Sequence, residues 1–157
     1  MKDYWELAGS LKLQTSTQIV GGFSLGFDKN VPDETKNHLI DFAYWVEDHY
    51  RLPVTVWVDF LHRHYLMDRN KKRVGFKFYW VEFEHYPVFE KEADIPVIEL
   101  PVRLERKTLQ ELLYAFIEAL TLYFAWLCGE NPDKITPEPA YIEQILERYL
   151  AEGKKNA

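Results

Sequence analysis

The sequence has few of the features that mark secreted or membrane-bound proteins. Cys128 is the only cysteine among 157 residues, so no disulfide can form within the chain and nothing indicates an oxidising compartment. Charged residues interrupt the apolar stretches well short of a membrane span, and residues 1–6 lack the apolar core of a signal peptide. We therefore expect a cytoplasmic protein that does not insert into a membrane.

An excess of basic charge is also absent. The chain carries 25 acidic and 19 basic residues, a net charge of −6, which argues against nucleic acid or an anionic membrane as the main partner. Hydrophobic residues are abundant: they make up 47% of the chain, and 16% of the residues are aromatic. This composition predicts a folded protein, and the length fits one domain with a sizeable core.

Hydrophobic periodicity predicts an α+β fold in the order helix, three strands, central helix, C-terminal helix. We expect the first two strands to form an antiparallel hairpin, which gives a three-stranded, mainly antiparallel sheet. Two prolines in the third strand remove backbone donors, so we place that strand at the sheet edge or as partly irregular. The predicted helices are Pro32–Tyr50, Thr108–Leu127 and Thr136–Leu150, and the predicted strands are Val54–Phe60, Arg73–Phe83 and Ile95–Val102.

The same pattern divides the chain into three parts. Residues 1–30 are predicted to form an N-terminal arm or short strands, including an alternating segment at Ser10–Thr15. Residues 31–150 form the α+β domain, and residues 151–157 form a frayed tail.

The second helix has the strongest signals. Thr108 and Glu111 fit a capping box at its start, and its residues are apolar on nearly every side. A helix of this kind is usually buried on both sides, so we expect it to lie at the centre of the domain.

Within this helix, residues 118–127 read Glu-Ala-Leu-Thr-Leu-Tyr-Phe-Ala-Trp-Leu. This string resembles the active-site helix of small zincin-like metallopeptidases of the SprT-like type, which carry His-Glu-x-x-His. Here the two ligand positions hold Glu118 and Leu122, and the base position holds Ala119. Leucine cannot bind zinc and alanine cannot accept a proton, so the resemblance implies a zincin-like scaffold whose zinc site has been lost.

The resemblance also indicates a candidate cleft. It would be lined by Glu118 and Thr121, with Glu138 or Glu143 near the position of the third ligand. A plainer interpretation is that Glu118, together with Glu111, forms the exposed side of a long helix.

Two other patterns have competing interpretations. His62 and His64 would point to the same side of an extended segment, as a pair of metal ligands would, or they are partly exposed histidines near a hairpin tip. The basic and aromatic segment Lys71–Trp80 has a faint likeness to an RNA-binding strand, but an aromatic hairpin face buried in the core fits it better.

The sequence therefore predicts a non-enzymatic protein of bacterial or phage type that binds a protein or peptide through the former cleft or the sheet edge. It predicts no cofactor, no catalytic residue and no metal site. One alternative is a metal-dependent hydrolase built on His62 and His64. The other is a homo-oligomeric structural subunit in which the aromatic residues of Phe76–Phe89 bury a partner surface.

Overall fold

A computed structural model describes residues 1–11, 22–83 and 93–153, and it confirms the α+β class. None of the helices in these residues combines the length and apolar character needed to cross a membrane. The helices are α1 (Tyr4–Gly9), α2 (Asp33–His49), α3 (Leu109–Leu127) and α4 (Pro139–Gly153). The strands are β1 (Phe23–Phe27), β2 (Val56–Leu61), β3 (Leu66–Met67), β4 (Arg73–Val74), β5 (Lys77–Phe83) and β6 (Ala93–Pro101).

The main sheet has four strands in the order β1-β2-β6-β5. The β1–β2 and β2–β6 pairs are parallel and the β5–β6 pair is antiparallel, while β3 and β4 form a separate small hairpin. The prediction of three mainly antiparallel strands, with the first two paired as a hairpin, is therefore wrong. One reason is that α2 connects β1 to β2, and strands joined by such a crossover helix pair in parallel.

The strand β6 lies inside the sheet, which corrects its predicted place at the edge. Its prolines are tolerated there because of their positions along the strand. Only residues 97–101 pair with β2, so Pro96 precedes that ladder and Pro101 is its last residue. Pro101 thus sits where the loss of a backbone donor interrupts few hydrogen bonds, whereas Pro96 is clear of the β2 ladder but lies opposite Trp80 within the β5–β6 pair.

The two faces of the main sheet have different surroundings. Val56, Val58 and Phe60 alternate along β2 toward the helices and are fully buried, and the Phe60 ring lies 5.5 Å from that of Phe116 in α3. The intervening residues Trp57 and Asp59 point to the opposite face and are exposed. In the described residues, the helices therefore cover one face of the sheet.

The helix α3 occupies the centre of the domain, as predicted. The Thr108 hydroxyl oxygen accepts a hydrogen bond from the Glu111 backbone nitrogen at 3.1 Å, which confirms Thr108 as the N-cap in the predicted capping box. The sheet packs on one side of α3, and α1 and α4 pack on others. Its fully buried side chains include Phe116, Ile117, Leu120, Tyr123 and Phe124.

Helix α1 is an element that the sequence analysis did not predict. It inserts Trp5, which is 1% exposed, against the rings of Tyr50 and Phe124 at centroid distances of 5.0 and 4.9 Å. The Trp5 indole Nε1 donates a hydrogen bond to the Thr121 hydroxyl at 3.0 Å. Residues 4–9 thus complete the core around α3. The strand predicted at Ser10–Thr15 lies largely outside the described residues.

The last helix begins and ends later than predicted. It starts at Pro139 instead of Thr136, and it continues beyond Leu150 to Gly153. Glu152, assigned to a frayed tail by its sequence, accepts a hydrogen bond from Trp45 Nε1 at 2.6 Å, and its carboxylate lies 2.9 Å from His49 Nε2. These contacts fasten the end of α4 to α2. Residues 154–157 of the predicted tail lie outside the described residues.

The substitution Thr121→Val tests the link between α1 and α3. Valine has nearly the same shape but leaves the buried Trp5 Nε1–H without an acceptor, so we expect a loss of about 1–3 kcal/mol in the free energy of unfolding. Thr121→Ser keeps the hydroxyl and removes one methyl group, which should cost about 1 kcal/mol. Urea denaturation of the three proteins measures both values. Equal losses in the two variants would contradict a role for the hydrogen bond.

Candidate functional site

Three half-exposed side chains form a row along α3, with one helical turn between each and the next. It consists of Glu118, Leu122 and Trp126, which we call the α3 strip. The two positions that would hold metal ligands in a zincin both lie on this strip. Ala119, at the position of the catalytic base, is fully buried. The strip therefore presents a carboxylate followed by apolar side chains.

The charges of Glu118 and Glu143 both act on the Tyr114 hydroxyl. Burial raises the pKa of Glu118 above its ordinary value. Burial also raises the pKa of Tyr114, and the negative charges of Glu118 and Glu143 raise it further. Glu143 and Tyr114 line a groove of about 530 Å³ between α3 and α4. The structure thus places two of the four candidate cleft residues beside the same tyrosine.

The other two candidate cleft residues lie elsewhere. Thr121 is fully buried beneath α1, where its hydroxyl accepts from Trp5 and donates to the carbonyl oxygen of Ile117 at 2.8 Å. Its predicted place in the cleft is wrong because α1 covers that side of α3. The Glu138 carboxylate is exposed and lies 3.2 Å from the amino group of Met1. Glu138 is absent from the residues that line the groove with Glu143.

At its C-terminal end the α3 strip meets the edge strand β5. The Trp126 ring stacks on Trp80 with a centroid distance of 6.0 Å and an interplanar angle of 24°, and it lies 6.2 Å from the Phe78 ring. Trp80 remains 38% exposed. Large aromatic side chains with one face packed and one face open are common at protein interfaces.

A groove of about 750 Å³ follows β5, and we call it the edge groove. Its lining includes Phe78 and Trp80 from one face of β5 and Lys77 and Tyr79 from the other. Side chains from both faces of β5 therefore line the same groove. This arrangement indicates that the groove runs along the outer edge of the strand. Within the described residues, β5 is hydrogen-bonded to a strand on one side, where β6 lies.

The open face of the sheet carries a polar and aromatic row next to this groove. Burial, a hydrogen bond to the Glu99 carboxylate and the charge of that carboxylate raise the pKa of Tyr79 to about 12. Burial and the neighbouring Glu99 charge also raise the pKa of Asp59. Val97 of β6 lies directly opposite Trp57 on β2 and opposite Tyr79 on β5. Trp57 and Tyr79 are each 38% exposed.

The surroundings of His62 and His64 do not resemble a metal site. The His64 Nε2 lies 3.5 Å from the Glu105 carboxylate. Both oxygens of that carboxylate accept from the Arg103 guanidinium at 2.7 and 2.8 Å, and this bond holds the pKa of Glu105 below its ordinary value. A cation there would have to displace Arg103. Residues 1–11, 22–83 and 93–153 contain no group of three His, Cys, Asp or Glu arranged to hold a metal ion.

Comparison with models of protein families, with curated proteins and with solved structures finds no match to this chain. The resemblance of residues 118–127 to a zincin helix therefore stays a prediction from the sequence.

The sequence analysis did not bring Trp80 and Trp126 together. It places Trp80 in a hairpin with an aromatic face in the core or, in the oligomer alternative, among the aromatic residues that bury a partner surface. It places Trp126 on the apolar circumference of the central helix. Their stacking depends on β5 lying beside β6, which residues 77–83 alone do not reveal. A usable signal was the row of four aromatic or apolar residues at 78–81, since side chains from such a row point to both faces and the helices cover only one of them in the described residues.

The substitution Glu118→Gln tests the burial of this carboxyl group. Because the pKa of Glu118 is raised in the folded state, its contribution to stability is complete below pH about 4 and is lost as pH rises through the folded value. At neutral pH the ionised carboxylate therefore destabilises the fold. We expect Glu118→Gln to raise the melting temperature at pH 7 and to have little effect at pH 4.

The matched control is Glu143→Gln, which changes an exposed carboxylate facing the same tyrosine. Exposed substitutions of this kind usually change stability by less than about 0.5 kcal/mol. Differential scanning calorimetry of both variants from pH 4 to pH 7 gives the comparison. A Glu118→Gln gain that is constant across this range would rule out burial of the charge as its cause.

Proposed function

We propose that this chain is a non-catalytic binding protein that holds an extended segment of a partner protein along the outer edge of β5. The observation that carries the proposal is the exposed Trp80, stacked on Trp126 beside the edge groove. Three consecutive residues of β5, namely Tyr79, Trp80 and Val81, are each 38–39% exposed. An exposed apolar row of this kind is typical of an interaction surface.

The edge of β5 supplies the backbone groups that such binding needs. A strand paired on one side presents its remaining N–H and C=O groups outward, and an added strand can satisfy them. The alternate side chains of a bound segment would then contact the two walls of the edge groove. One wall offers the Trp80 indole and the other offers Tyr79, so apolar residues on either face of the segment would find an aromatic partner.

The α3 strip supports a binding role without catalysis. On the zincin alignment, the residues at the three positions of the zinc chemistry are Glu118, Ala119 and Leu122. Two of these side chains can neither bind a metal nor transfer a proton, and Ala119 is enclosed in the core. A scaffold altered in this way keeps its cleft and its edge strand and uses them for recognition. The proposal places this activity in the cytoplasm.

Peptide selection tests the proposal directly. We would select from a library of random ten-residue peptides displayed on phage, against the purified chain, and measure each recovered peptide by fluorescence anisotropy. We expect peptides with apolar residues at alternate positions, as an added strand requires. Trp80→Ser should weaken their binding at least tenfold, because aromatic anchors at interfaces contribute about 2 kcal/mol or more.

The matched control is Tyr44→Ser. Tyr44 is 62% exposed on α2, beside β1 at the opposite edge of the sheet, and its loss should leave peptide binding unchanged. Equal weakening by the two substitutions, or failure to enrich any peptide, would overturn the proposal. If light scattering shows a stable dimer that Trp80→Ser converts to a monomer, the edge pairs with a second copy, and the alternative of an oligomeric subunit replaces it.

A further inference from the structure

The charge of the chain is distributed unevenly around β5. Residues 61–77 contain six lysines and arginines and one aspartate, a net charge of +5 in a protein whose total is −6. The one aspartate, Asp68, is engaged within its own turn, where its carboxylate accepts from the backbone nitrogens of Asn70 and Lys72 at 2.8 and 2.9 Å. The basic charge of this segment is therefore poorly compensated from within it.

This basic segment borders another groove of about 530 Å³, which is separate from the groove between α3 and α4. We call it the basic groove. Arg63, Lys77 and Arg103 line it together with His62, His64 and Glu99. Lys77 and Glu99 also line the edge groove, so the two grooves meet at the start of β5. A segment lying along β5 would thus have one end beside the basic groove.

The basic groove contains a cationic donor that lacks an acceptor. Within the described residues, the Nε of Arg103 is buried and makes no hydrogen bond, although the same guanidinium donates through Nη2 to Glu105. A buried donor without an acceptor is unfavourable, and a carboxylate oxygen is the partner that a guanidinium prefers. The groove therefore offers an anion local positive charge, and it is lined by a guanidinium whose buried Nε has no acceptor in the described residues.

We propose that the segment held along β5 is acidic and that one of its carboxylates enters the basic groove between Lys77 and Arg103. This inference rests on the proposed function, because it names the chemistry of the partner that the edge of β5 binds. The carboxylate belongs to an aspartate, a glutamate or the C-terminus of that partner.

An acidic polypeptide fits this surface better than a nucleic acid. Carboxylates interrupt the positive charge, with Glu99 in both grooves and Asp133 in the edge groove. A nucleic-acid backbone carries a phosphate at every nucleotide and would meet these carboxylates, whereas a peptide can place its few charges beside the basic side chains. A peptide also supplies the backbone groups that pair with a strand edge.

Two synthetic peptides with blocked termini test the inference: four repeats of valine and glutamate, and four repeats of valine and glutamine. Fluorescence anisotropy of labelled peptides at 0.1 M sodium chloride should show at least tenfold tighter binding of the glutamate peptide. At 1 M salt the difference should shrink, because the screening length falls from about 10 to 3 Å. Lys77→Gln should weaken binding of the glutamate peptide about two- to fivefold, the range expected for one exposed ion pair.

The matched control is Lys29→Gln, which removes one positive charge just after β1, at the other edge of the sheet, and should leave both affinities unchanged. If both peptides bind equally and Trp80→Ser weakens both, the acidic inference fails and the proposed function stands. If Trp80→Ser affects neither peptide, both fail. A single-stranded thymidine oligonucleotide that binds more tightly than the glutamate peptide, and is weakened by Lys77→Gln, would replace the acidic peptide with a nucleic acid.

Discussion

The helix α3 cannot expose most of its circumference to water, because its residues are apolar on nearly every side. This constraint determines where the other elements lie. The sheet buries one side through Phe60 and Phe116, and α1 buries another through Trp5. The helix α4 covers a third side. A helix of 19 residues enclosed in this way organises the core around itself, and each covering element is stabilised by the apolar surface that it removes from water.

The α3 strip is the part of this circumference that the covering elements leave half-exposed, and it leads to the edge of the sheet. Glu118 lies on it near Tyr114, which lines the groove beside α4, and Trp126 lies on it where α3 packs against β5. The position of the edge groove therefore follows from the packing of the core. In the described residues, the helices cover one face of the sheet. One face of the edge strand β5 therefore packs on the Trp126 ring of α3, and the other face is open.

The limits of sequence-based prediction follow from the range of the forces involved. The starts of α2 and α3 depend on neighbouring residues, and Pro32, Thr108 and Glu111 were sufficient to predict them. Strand pairing depends on contacts between distant segments, so the order β1-β2-β6-β5 was not predictable from local alternation. The wrong prediction that Thr121 lines the cleft has the same origin. Thr121 is covered by Trp5, which lies 116 positions away in the chain.

Net charge is a poor guide to what an individual surface binds, and this chain shows why. The total of −6 argues against an anionic partner only if the acidic residues are spread evenly. Here the segment from 61 to 77 joins β2 to β5 and carries basic side chains to one end of the edge strand. Coulomb interactions are screened within about 10 Å at moderate salt, so a bound group there is affected by Lys77 and Arg103 more than by distant acids. In the proposed binding mode, the local charge at the edge of β5 therefore outweighs the excess acid elsewhere in selecting the partner.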